Sequence, residues 1–145
     1  MATALPLTAP PASRWTRVKA PVLLAAGVLA LSLLLHLRDP HRSGSWGFCP
    51  WLMLTGTYCP GCGGLRAVND LTHGHFAAAA SSNLLFVGSL PLAAVLWGRW
   101  LVDRWRGVQR HVSTRAMFVC CFSFLAVAVV FAVLRNLPMG SWLAP

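Results

Sequence analysis

Acidic residues are nearly missing from this chain: three aspartates, Asp39, Asp70 and Asp103, stand against eleven arginines and one lysine, Lys19. Charged residues make up 10% of its 145 residues, where about 25% is usual, and apolar residues reach 57%, where about 45–50% is usual. So little charge excludes an ordinary soluble domain and makes an integral membrane protein the expectation. No Asp, Glu, Lys or Arg interrupts the long apolar runs, which argues against the proton relays and voltage sensors of pumps and coupled transporters. Self-similarity at a period of about 20–50 residues is lacking, so a repeat array is unsupported. A soluble catalytic domain, a Ser/His/Asp arrangement and a phosphate-binding loop are lacking too. The positive excess is dispersed between apolar runs, a pattern that orients a chain in a bilayer and argues against a nucleic-acid partner.

Three apolar runs are present. "APVLLAAGVLALSLLLHL", residues 20–37, follows the basic flank of Arg14, Arg17 and Lys19, with Pro21 expected in its first helical turn. Eighteen residues at about 1.5 Å each span about 27 Å, close to the roughly 30 Å hydrocarbon core. No small-x-small cleavage site follows, so the run reads as a signal anchor. Residues 1–19 read as a disordered basic tail and residues 20–145 as a single membrane domain. The second run covers 76–97, with Pro91 expected to kink it, and the third covers 117–134, stopped by "RNLP". The basic N-terminal flank carries three Arg or Lys and the loop before the third run carries five. The loop 38–75 carries three, and the tail only Arg135. This asymmetry places the N-terminus in the cytoplasm, with the cysteine loop and the C-terminus outside a plasma membrane. Trp46, Trp51 and Trp142 then sit at the outer interface, and Trp97, Trp100 and Trp105 at the inner one. The Ala, Arg and Gly richness points to a bacterial source.

Within the outer loop lies "YCPGCGGLRAVNDL", residues 58–71. Leu65, Val68 and Leu71 recur on one helical flank, and Cys62, Arg66, Asn69 or Asp70, and His73 on another, predicting a short interfacial helix from about Cys62 to Gly74. Arg66 one turn beyond Cys62 would favour the thiolate. Three readings stay open. Cys49, Cys59 and Cys62 with His73 or His75 make a Cys3His set for zinc, although a second Cys-x-x-Cys is missing. Cys59 and Cys62 alternatively form a thiol-exchange pair modulated by Arg66, without the strand-helix alternation of a thioredoxin fold. In the third reading the loop is a structural turn stapled by a disulfide from Cys49. Heme attachment is excluded, because Gly63 stands where Cys-x-x-Cys-His needs histidine.

The residues Cys49-Pro50, Thr55-Gly56, "CPGCGGLRA" from 59 to 67, Leu71, His73-Gly74, Ala80 and Asn83 resemble an uncharacterised family of small bacterial membrane proteins, domain of unknown function number 2752. "RNLP" near the end is similar to its C-terminal pattern. Leu65, His75 and Leu84 depart from the residues usual there, Thr, Asp and Pro. The resemblance implies membrane location and carries no established reaction.

Asn83, beside Ser81 and Ser82, is expected to hydrogen-bond a neighbouring helix, at about 0.6 kcal/mol. Arg135 and Asn136 are expected either to join Arg66 in holding an anion such as a lipid phosphate, or to leave Arg135 snorkelling at the interface. In the structural reading, Arg66 holds Asp70 and loop carbonyls. Cys120 and Cys121 read as small apolar filler. The sequence thus predicts an all-α polytopic membrane protein of three spanning helices plus a short interfacial helix after the Cys-x-x-Cys turn. Its leading functional reading is a non-enzymatic component in contact with lipid and a membrane protein partner. No cofactor is assigned from the sequence, and zinc is the ion for the loop if it binds one.

Overall fold

The computed structural model describes residues 13–42, 46 and 49–144. Helix α1, Arg14–Leu37, begins where Ser13 caps it, its Oγ accepting from the Thr16 amide at 3.2 Å. The expected tail lies outside the described residues up to position 12, and its basic stretch 14–19 is helical instead. Pro21 therefore sits inside α1 and not in its first turn, because the cap lies well upstream of the apolar run. Its carbonyl accepts from Trp97 Nε1 at 3.1 Å, a bond from the second long helix into the first.

The second apolar run is divided. Residues 76–97 were expected to form one span; the chain forms α4, Phe76–Ser82, breaks at Asn83, and restarts as α5, Leu84–Arg106. Asn83 is extended, with φ −160° and ψ 92°, and its Oδ1 accepts from the Phe86 amide at 2.9 Å. A residue that satisfies an amide of the next turn starts a new helix, which is why the break falls here and not at a glycine or proline. Pro91 lies within α5. The third long helix, α6, is Thr114–Arg135, and a 3-10 helix, Pro138–Leu143, follows it.

The chain is all-helical among the described residues, and α1, α5 and α6 are long and apolar enough to cross a bilayer. It is a multi-pass membrane protein. Leu29, Leu92, Phe122 and Val130 are each more than half exposed, the arrangement lipid requires and water does not tolerate. α1 packs on α5 and on the short helix α3, Gly64–Thr72, which in turn packs on α4. Helix α2, Pro50–Thr55, precedes these. The short helices gather where α1 ends, α5 begins and α6 ends. At the opposite end of the long helices Arg110 pairs with Asp103 at 2.6 Å, and Arg14 lies 5.8 Å from the Trp105 ring centroid.

Candidate functional site

Two backbone features bring the three loop cysteines together. Cys49 is the N-cap residue of α2, followed by Pro50, whose fixed φ suits a first helical position. α2 ends at Gly56, whose φ of +68° is open to glycine at little cost, and the chain doubles back toward Tyr58. Cys59-Pro60-Gly61-Cys62 then closes a turn, the Cys62 amide donating to the Cys59 carbonyl at 3.1 Å. Gly63, at φ +81°, redirects the chain into α3.

The turn's carbonyls are clamped by residues distant in sequence. Asn83 Nδ2 donates to Pro60 O at 2.9 Å and to Cys62 O at 3.0 Å. Arg135 Nη1 donates to Cys59 O at 2.9 Å and to Cys62 O at 3.0 Å. Asn136 grips the backbone of Tyr58, accepting from its amide at 2.8 Å and donating to its carbonyl at 2.9 Å. Both Asn83 and Arg135 are fully buried.

So held, the sulfurs converge. Cys49 Sγ lies 3.6 Å from Cys59 Sγ, Cys59 Sγ lies 3.1 Å from Cys62 Sγ, and all three fall within 4.8 Å of one another. None is bonded to another. Their environments differ. Burial pushes the Cys62 thiol up to about 12, aided by hydrogen bonding with the neighbouring thiols. No capping hydrogen bond closes at Cys49, but the nearby Leu52 amide at the start of α2 holds its thiol below the ordinary range.

Several sequence expectations are corrected here. α3 starts at Gly64, so Cys62 lies before the helix and does not share a stripe with Arg66. Arg66 makes no hydrogen bond or ion pair among the described residues and is not among the groups that shift the Cys62 thiol. Asp70 turns the other way, accepting from Ser82 Oγ at 3.0 Å and facing His41 Nε2 at 3.5 Å. The carbonyls expected of Arg66 are held by Arg135 and Asn83. Arg135 neither snorkels nor joins Arg66, being only 2% exposed. His73 and His75 do not complete a Cys3His set. His73 stacks on His36 at 4.1 Å and donates from Nδ1 to Asn69 O at 2.9 Å, and His75 stacks beyond it at 6.2 Å. A nine-residue helix separates both from the thiols.

Sequence reasoning missed Tyr58 and Pro60 as clamped backbone, and His36, His41 and Ser82 as neighbours of α3. No local pattern marks them, since each partner arrives from another helix or loop. Chemically, the three thiols form a donor set for a soft metal ion, and Cys59 and Cys62 also form a close dithiol.

Residues 49–97 match the family described as a protein of unknown function (DUF2752), a segment that runs from Cys49 to Trp97 and takes in all three thiols and Asn83. No curated protein and no solved structure matches the chain.

Proposed function

We propose that this protein is a non-enzymatic component of a bacterial plasma membrane that holds one soft metal ion, of the zinc class, on Cys49, Cys59 and Cys62. The carrying observation is the convergence of three unbonded sulfurs within 4.8 Å. A tetrahedral thiolate site with metal–sulfur bonds of about 2.3 Å has sulfurs about 3.8 Å apart. The Cys49–Cys59 separation of 3.6 Å is close to that edge. The clamp supports the reading further, since ligands held by buried hydrogen bonds lose little freedom on binding. In this reading the basic end faces the cytoplasm and the cysteine end faces outward, as the Arg and Lys distribution favours. Its surroundings are the bilayer and a membrane protein partner, with no role for nucleic acid.

The test is metal analysis of protein purified in detergent without chelator. One equivalent of zinc, lost in Cys59→Ser, is the expected result. Metal-free protein that takes up no zinc when supplied would overturn the reading.

A second reading is favoured by one observation, the 3.1 Å Cys59–Cys62 contact beside the half-buried Cys49 thiol of lowered pKa. There a partner's disulfide is reduced to two thiols while Cys59 and Cys62 lose two protons and two electrons to form their own disulfide. Non-reducing mass analysis with and without zinc separates the two: a disulfide that forms and breaks with partner redox state, indifferent to zinc, selects exchange.

A further inference from the structure

Arg135 poses a charge problem that its hydrogen bonds do not solve. The side chain is 2% exposed, and its Nη1 is satisfied by two peptide carbonyls, while Nε and Nη2 are buried without a hydrogen-bond partner. The Phe131 and Tyr58 rings lie 5.0 and 5.6 Å from Cζ and supply a cation–π attraction, which carries no net negative charge. A buried cation requires an opposite charge. The three acidic side chains are engaged elsewhere: Asp39 with His41, Asp70 with His41 and Ser82, and Asp103 with Arg110. The ionisable groups that face the guanidinium are Cys62, Cys59 and Tyr58. Only the thiols supply an anion when a metal binds, and Arg135 is attached to their own turn.

We propose that the three cysteines bind a divalent soft cation as a three-thiolate complex of net charge minus one, that Arg135 is its counter-charge, and that the fourth ligand is an exchangeable donor from solvent. This rests on the metal reading above. Three thiolates carry minus three, a divalent ion plus two and the guanidinium plus one, so the assembly is neutral. A monovalent ion would leave one negative charge and a trivalent ion one positive charge in a low-dielectric setting. The open fourth position follows from the donor set. The metal-capable group is Cys49, Cys59 and Cys62 alone among the described residues, and positions 1–12, 43–45, 47–48 and 145 carry no Cys, His, Asp or Glu. Cys49 and Cys59 are half-buried, which leaves a side of the cluster accessible. A site with three protein ligands keeps one coordination position open to exchange, whereas structural sites are closed by four protein ligands.

The experiment uses the full-length, reduced protein in detergent with Co²⁺ as the probe and Zn²⁺ as competitor. Wild type should develop near-ultraviolet thiolate-to-cobalt absorption and tetrahedral visible bands at one equivalent, and azide should shift the visible bands. Arg135→Lys should keep nearly wild-type affinity, and Arg135→Gln should lose about 10- to 100-fold in Zn²⁺ affinity, the usual loss for a group supporting the ligands. The Gln variant should also show weaker near-ultraviolet absorption per cobalt, as one sulfur stays protonated. Wild-type affinity and intensity in a folded Arg135→Gln would overturn the role of Arg135 while leaving metal binding intact. Visible bands indifferent to azide in wild type, a measurement that needs no variant, would overturn the open position. Absence of cobalt absorption in wild type would instead remove the metal reading itself.

Discussion

Replacing Asn83 separates two jobs that one side chain performs. Its Oδ1 caps α5 through the Phe86 amide, and its Nδ2 donates to the Pro60 and Cys62 carbonyls. Asn83→Ala loses both. Loss of an N-cap costs about 0.5–2 kcal/mol. The Cys62 carbonyl keeps its bond from Arg135, but among the described residues no other hydrogen bond reaches the part-buried Pro60 O, and an acceptor left unsatisfied costs up to about 1–3 kcal/mol. The sum is about 1.5–5 kcal/mol, several times the roughly 0.6 kcal/mol of an ordinary polar contact between membrane helices. Asn83→Asp keeps the cap and turns the donor into an oxygen facing two carbonyl oxygens, so it should cost at least the clamp's share. Detergent-denaturation midpoints followed by tryptophan fluorescence read the stability. Alkylation of Cys62, followed by mass spectrometry of its peptide, reads the opening of the turn. A loss of 1–2 kcal/mol should raise exposure of that thiol about 5- to 30-fold. An Asn83→Asp variant as stable as wild type, with Cys62 equally protected, would refute the clamp.

Further outcomes follow from the cysteine cluster and from the end of α6. In metal-free protein at pH 8, Cys49 should be alkylated first and Cys62 last, because a thiol near 12 is ionised to only about one part in ten thousand there; a membrane-impermeant reagent should reach Cys49 on intact cells, and Arg66→Gln should leave all rates unchanged. Gly140→Ala should destabilise the 3-10 helix against α6 by about 1–3 kcal/mol, since a Cβ there would collide with the Leu134 carbonyl oxygen; an unchanged denaturation midpoint would contradict that close approach.

The spanning helices and the sulfur pair Cys59–Cys62 were legible in the sequence because their causes are local. Eighteen apolar residues in a row have one low-energy conformation in lipid, the helix that satisfies its own backbone. Two cysteines three positions apart, with Pro60 and Gly61 between them, meet across a single turn. The division of the second run was less legible. Asn83 was visible as a polar residue, but its role as a cap depends on the direction in which the next helix leaves. What only the tertiary structure decided is the clamp and the company of each charged group. Arg135 reaches Cys59 across 76 positions of chain and Asn136 reaches Tyr58 across 78, distances over which periodicity carries no information. Arg66, four residues from Cys62, was the nearer cation in sequence, yet α3 begins only at Gly64, which leaves Cys62 in the turn before it, outside the helical register that would pair the two. His73 and His75 were plausible ligands by spacing, but α3 carries them to its far end, where His36 arrives from α1 and stacks on His73. Composition determined which solvent this chain lives in. The docking of α6's last turn against the loop determined which residues surround its three thiols, because a buried guanidinium must find acceptors and the carbonyls of a tight turn, each with a second lone pair to offer, were the ones within reach.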